Sequence, residues 1–191
     1  MIATVLVEDR FEAAHRLIDH PGKFRFLHGH SFRAMVVLRG LLHPPTGIAI
    51  DSRSALPILR SLTHEILDHA TLVQTNDPLS CGRRSSWYPQ ERLLLFPVPP
   101  SAECLALVVY GFVDSVLYDL GLTGAIDRVI LDETTTSSAA VDAADIDRTR
   151  FLSNAALIEN DVGVLAYRFG SYLAMTADCS ALQMVEKGRA S

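Results

Sequence analysis

Four of the seven histidines in this 191-residue chain fall within sixteen residues near its start, and three of them, His15, His28 and His30, are spaced for chemistry. The second and third flank a glycine in Leu27-His28-Gly29-His30-Ser31. On a strand, a spacing of two puts both imidazoles on one face, about 7 Å apart along the chain. Glycine between them leaves the backbone room to bend and lets a ligand approach closely. A third imidazole from a neighbouring strand completes three faces of a tetrahedron and leaves the fourth open. That is the arrangement of a catalytic zinc rather than a closed structural one. A single histidine on an apolar strand is commonly a packed core residue, so the pair and the distant third carry the signal together. Cys81, Cys104 and Cys179 are dispersed and share no Cys-x-x-Cys spacing, so they are not competing ligands.

Composition bounds what surrounds these residues. Hydrophobic residues make up 49 % and charged residues 20 %, as expected for a globular protein able to bury a sizeable core. The length fits one domain, or one domain with an appended tail. A net charge of -5 and the lack of any run of Lys or Arg argue against a nucleic-acid surface. No apolar run reaches the roughly 18 residues needed to span a bilayer. Met1-Ile2-Ala3-Thr4 opens no basic, apolar or cleavable leader, and three unpatterned cysteines fit reduced thiols, so a cytoplasmic location is expected.

The elements that must position the histidines follow from the pattern. Residues 4–14 alternate as a strand, with Val5, Val7 and Phe11 inward and Glu8 and Arg10 outward. After a turn at His20-Pro21-Gly22-Lys23, residues 31–42 form a second strand, reversed at His43-Pro44-Pro45-Thr46-Gly47. Asp51 or Ser52 caps a helix over 53–67, with Pro57 in its first turns and Leu56, Leu59, Leu62 and Ile66 as its apolar stripe. Residues 71–100 read as loop, with a short strand possible only at 92–96. Ser101 caps a long helix that carries Glu103 in its first turn and ends at Gly121. Strands at 125–131 and 138–143 follow. The order predicts an α+β domain, a four-stranded antiparallel sheet with two helices on one face.

The motifs now assemble. Ala13-Ala14-His15, Leu27-His28-Gly29-His30-Ser31, Asp51 after a glycine-led turn, Leu67-Asp68-His69, Pro100-Ser101-Ala102-Glu103 and Asp132-Glu133-Thr134 occur in one order and spacing. Over roughly residues 3 to 140 the chain resembles the 6-pyruvoyltetrahydropterin synthase and 6-carboxytetrahydropterin synthase family. The resemblance implies a tunnelling fold over residues 1–144, in which protomers join their sheets into a barrel, as a trimer or hexamer with intersubunit active sites. It implies Zn2+ held by His15, His28 and His30, with the substrate's side-chain hydroxyls at the open position. It implies catalysis by the pair Asp68 and His69, the carboxylate orienting the imidazole; taken alone, the same pair reads as a helix C-terminal cap. Glu133 matches the pterin anchor, a carboxylate that accepts an amino group and a ring N–H side by side. Glu103 matches a second acidic position of that pocket and reads equally as part of a capping box. Ser101 serves as cap and as pocket residue.

One position departs from the family. Its best-known members carry a cysteine, the general base, four residues before the first histidine of His-Gly-His, where this chain has Phe24. Three explanations stay open: His69 with Asp68 is the only base, Cys81 or Glu91 of an insertion spanning 75–97 folds over the site, or the protein binds zinc and pterin without the usual turnover. Arg83 and Arg84 of that insertion suit phosphate oxygens or simply solvate a loop. Residues 145–191 lie beyond the resemblance, and Phe151, Ala155, Leu157, Ile158, Val162, Leu165 and Phe169 hint at an amphipathic helix of unassigned role. The function expected is a zinc-dependent lyase step on the side chain of 7,8-dihydroneopterin triphosphate or a close relative. The alternative is a non-catalytic zinc- and pterin-binding oligomer.

Overall fold

Two fourteen-residue strands form the frame of the molecule. In the computed structural model, β1 (Ile2–His15) and β2 (His28–Leu41) run antiparallel, from Ile2 opposite Leu41 to His15 opposite His28. Both are longer than the sequence pattern predicts. The difference matters because the added residues carry His28 and His30 onto the ladder, and His15 with them. Since the pleat sends alternate side chains to opposite faces, Val7, Phe11, Ala13 and His15 share one face with His28, His30, Phe32, Ala34 and Val36. The other face carries Glu8, Arg10, Glu12 and Ser31, all exposed.

The structure describes residues 1–81, 92–122, 125–146, 158–160 and 163–165. Among them the sheet is mixed rather than a four-stranded antiparallel one. Its first six strands are β1, β2, β3 (Ala70–Gln74), β4 (Leu93–Phe96), β5 (Ile126–Thr134) and β6 (Ser137–Asp142). They are extended by the short hairpin β7 (Ile158–Asn160) and β8 (Gly163–Leu165), giving the order β6-β5-β2-β1-β3-β4-β7-β8. β1 pairs with β3, and β3 with β4, in parallel. Residues 71–74, expected as loop, belong to β3, the strand that the sequence reading missed. Every residue of β3 and β4 is buried, so neither shows the alternation by which a half-exposed strand is recognised. The helical hint in the tail is also corrected at the described residues: Ile158–Asn160 is extended and reaches β4 at Leu95 opposite Glu159. An open strand edge outweighs a helical pattern already weakened by Gly163.

The helices are α1 (Ser52–Leu62), a four-residue α2 (Pro78–Cys81) and α3 (Ala102–Asp119). Asp51 caps α1, accepting from the Arg53 N–H at 2.9 Å. Pro57 sits inside the helix rather than at its start. The expected helix to residue 67 is not continuous α: Thr63–Leu67 widen into a π-turn, closed by Asp68 N–H donating to the Thr63 carbonyl at 2.7 Å. Such turns recur beside functional residues. Ser101 caps α3, and Gly121, at φ +75, ends it. Leu59, Leu62, Leu105, Val109 and Phe112 close over Phe11, Phe32, Leu38 and Leu131 in one core cluster.

Candidate metal centre

The three histidines meet at the open end of the β1–β2 pair. One donor nitrogen of each lies within 4.8 Å of the others. Beneath them is Phe32, fully buried, whose ring stacks on Phe11 at 5.0 Å and meets the His15 and His30 rings edge-on at 5.5 Å each. The antiparallel register sets His15 directly opposite His28, and Phe32 holds the imidazoles above it.

Hydrogen bonds decide which nitrogen of each ring is available. His15 Nδ1–H donates to the Pro100 carbonyl at 2.7 Å, and His28 Nδ1–H to the Phe26 carbonyl at 2.8 Å. A carbonyl oxygen only accepts, so both rings carry the proton on Nδ1 and present a bare lone pair at Nε2. The Nε2 atoms of His15, His28 and His30 are all buried without a hydrogen-bond partner. Burial, chiefly, and the neighbouring imidazoles lower the His15 pKa to about 4 against the raising effect of the Pro100 bond, so the ring is neutral near pH 7. Buried acceptors without donors are costly, and a cation removes the cost. The donor set suits zinc: three imidazoles, two of which, His15 and His28, are backed by a second bond that fixes the tautomer.

Glu133 joins the same centre. Its Oε1 lies 3.4 Å from His15 Nε2 and 3.9 Å from His30 Nε2. Asp68 and His69 adjoin from the exposed face of the sheet. The Asp68 carboxylate accepts the Glu12 N–H at 2.8 Å, and the His69 N–H donates to the Glu12 carbonyl at 2.6 Å. These two bonds hold His69 at φ +55. The Asp68 carboxylate then lies 3.6 Å from His69 Nε2, and the His69 side chain is 80 % exposed. A cavity of about 370 Å³ runs between His69, Thr71, Glu12, Ser31, Gly29 and His30. Of the three histidines it borders His30 alone.

Ser101 follows the Pro100 carbonyl that holds His15, and its hydroxyl accepts from the Cys104 N–H at 3.4 Å. Glu103 is exposed, and among the described residues makes no hydrogen bond or ion pair. It is also no capping-box residue, because the third helical position is Cys104. Phe24 lies over His28, ring centroids 5.6 Å apart and planes inclined by 25°. The side chain of Cys81 and all of Arg83, Arg84 and Glu91 lie outside the described residues.

Two supports escaped the sequence reading. Arg92 donates to the carbonyls of Glu65 and Ile66 at 3.2 Å and to that of Asp68, closing the π-turn that delivers Asp68 and His69. Arg16, next to His15, pairs through both arms with Asp77, whose side chain is fully buried. Nothing local marks either pair, since their partners are 24 to 61 residues away.

Known proteins agree with this architecture. The family model described as 6-pyruvoyl tetrahydropterin synthase matches residues 4–144. The chain is 33 % identical over 132 residues to 6-carboxy-5,6,7,8-tetrahydropterin synthase of Synechocystis, covering 69 % of this chain and 87 % of that one. With the Aquifex aeolicus protein of the same name it shares 32 % over 117 residues, 59 % of this chain and 72 % of the other. In fold it is similar to a catalytic-residue mutant of Plasmodium vivax 6-pyruvoyltetrahydropterin synthase, with a TM-score of 0.59, 22 % identity, and coverage of 74 % and 97 %. With the matched segment spanning nearly all of β1 to β6 and both long helices, the chain belongs to the 6-pyruvoyl tetrahydropterin synthase family.

Proposed function

We propose that this protein is a zinc-dependent lyase acting on the three-carbon side chain of 7,8-dihydroneopterin triphosphate or a close relative. The observation that carries the reading is the convergence of three partnerless Nε2 atoms in a buried site beside a carboxylate. His15, His28 and His30 would hold the ion, which when bound supplies Lewis acidity toward the side-chain hydroxyls. Glu133 is the carboxylate placed to accept the paired N–H groups of a pterin. Ser101 and Glu103, at the start of α3 beyond Pro100, would complete the pterin pocket. His69, exposed and backed by Asp68, takes and returns a proton at its ring nitrogen. The reaction is triphosphate elimination with tautomerisation, or carbon–carbon cleavage.

That His69 is mostly exposed supports a site completed by a second copy of the chain, in a trimer or hexamer. A cytoplasmic setting belongs to the same reading; no helix among the described residues is long and apolar enough to cross a membrane. The stacking of Phe24 on His28 favours a second reading, a zinc- and pterin-binding oligomer without turnover, because phenylalanine takes no proton.

Mass-spectrometric product analysis separates the two. Zinc-loaded wild type and a Phe24→Cys variant are each incubated with 7,8-dihydroneopterin triphosphate. Turnover by the wild type supports the lyase, and the product mass names the reaction. Activity in the cysteine variant alone supports the binding protein. Silence from both refutes this substrate.

A further inference from the structure

A carboxylate on the inner face of the sheet stands apart from the metal centre. Asp9 lies on β1 between Val7 and Phe11, on the face those two residues bury, and opposite the fully buried Ala34. An apolar side chain would suit the alternation there. The Asp9 side chain is instead an acid only 13 % exposed, and a carboxylate so placed must be held by donors.

The donors come from one short segment. Thr63 Oγ1–H donates to Asp9 Oδ2 at 2.6 Å, and His64 Nε2 lies 2.9 Å from the same oxygen. Arg60 Nε reaches Oδ1 at 4.0 Å. Thr63 and His64 stand three and four residues after Arg60, so the three share one face where α1 meets the π-turn. The Thr63 hydroxyl has one proton and two acceptors in reach, Asp9 and the Leu59 carbonyl at 3.1 Å. The shorter, charge-assisted bond takes it. The Leu59 carbonyl still accepts the Thr63 backbone N–H. The Thr63 side chain is therefore tied to β1 rather than to its own helix.

Thr63 opens the π-turn, and its carbonyl accepts the Asp68 N–H. Asp68 and His69 bond in turn to the backbone of Glu12, three residues along β1 from Asp9. The bonds close a ring: Asp9 to Thr63, Thr63 to Asp68, Asp68 to Glu12, and back along the strand. A histidine at φ +55 keeps that conformation only where its surroundings hold it. Glu12 holds the far end of the turn, and Asp9 holds the near one.

We propose that Asp9 is a positioning residue for His69, fixing through Thr63 the π-turn that carries Asp68 and His69. Its effect on turnover rests on the functional reading above, in which His69 moves the proton; its hold on the turn does not.

Native-state amide hydrogen exchange on the full chain tests this with wild type, Asp9→Ala, Asp9→Asn and Thr63→Val. Asp9→Ala removes the acceptor, and Thr63→Val removes the donor at nearly constant shape. Each should speed exchange at the Asp68 and His69 amides roughly tenfold relative to amides of the β1–β2 ladder, the loss expected of one charge-assisted hydrogen bond. Asp9→Asn keeps an acceptor without the charge and should fall between. The double variant Asp9→Ala with Thr63→Val should exceed neither single one by much, because both cut the same bond. Equal acceleration across the sheet, none at Asp68 and His69, or fully additive effects would overturn the proposal. Should Asp9→Ala fold poorly, Thr63→Val decides alone. Turnover reads the functional assignment separately: kcat should fall by a similar factor while zinc content and KM keep their wild-type values. A loosened turn with undiminished kcat refutes the proton role of His69 and leaves the hold of Asp9 standing. With a wild type that shows no turnover, the exchange measurement decides by itself.

Discussion

The Nδ1–H of His15 and the backbone carbonyl of Pro100, 85 residues apart, meet at 2.7 Å. That bond ties the last residue of β1 to the entrance of α3 and turns the bare Nε2 of His15 toward His28, His30 and Glu133. The ring is neutral because burial opposes its charge, and this gives a pH signature.

The folded His15 pKa is lowered to about 4 from the ordinary imidazole value of 6.5. Above about pH 6.5 the ring is neutral in both folded and unfolded chains and makes no difference. As pH falls from 6.5 toward 4, the unfolded chain takes the proton and the folded one does not, so stability drops. Metal-free protein should lose about 2–3 kcal/mol from this group by pH 4.5. Urea denaturation of wild type and His15→Gln at pH 7 and 4.5 checks it. The variant should show a shallower pH dependence, and identical slopes would refute the assignment.

His28→Ala removes one of three converging lone pairs and the ring on which Phe24 lies. Zinc content measured after dialysis should fall to a small fraction of the wild-type value. Full retention of zinc would show that His28 is not a ligand.

Phe32→Ala takes away the floor that His15 and His30 rest on. A cavity of this kind costs about 3–5 kcal/mol. The same variant should bind zinc more weakly, because the rings lose the surface that orients them. A melting experiment with and without zinc reads both, and undiminished zinc stabilisation would argue against the supporting role.

Arg92→Ala deprives the Glu65, Ile66 and Asp68 carbonyls of their donor, at a cost of about 1–3 kcal/mol. It stands far along the chain from the histidines, so zinc content should not change, whereas turnover by His69 should fall. Loss of zinc in this variant would show that Arg92 supports the triad instead.

Asp77→Asn breaks the Arg16 pair inside the protein and should destabilise by about 3–5 kcal/mol, leaving a guanidinium without its counter-charge. Replacing Arg16 and Asp77 together by Met and Leu should recover part of that loss. No recovery would mean that Asp77 matters for capping Leu79, whose N–H it accepts at 2.8 Å, rather than for the pair.

The sequence by itself carried what depends on local spacing. His-Gly-His on a strand, the Asp51 and Ser101 caps, the Gly121 stop and the apolar stripes of two helices each follow from a period of two or of 3.6, or from one residue's conformational range. The family could be read because its motifs keep their order along the chain. Tertiary structure decided the rest. β3 and β4 are buried throughout, so no alternation marks them, and their parallel pairing comes from chain that returns over a distance. The tautomers of His15 and His28 depend on carbonyls, one of them 85 residues away. The pose of His69 depends on Glu12 and Arg92. A residue's type sets what chemistry it can do. Its partners, brought from distant parts of the chain, set the proton and the direction with which it does it.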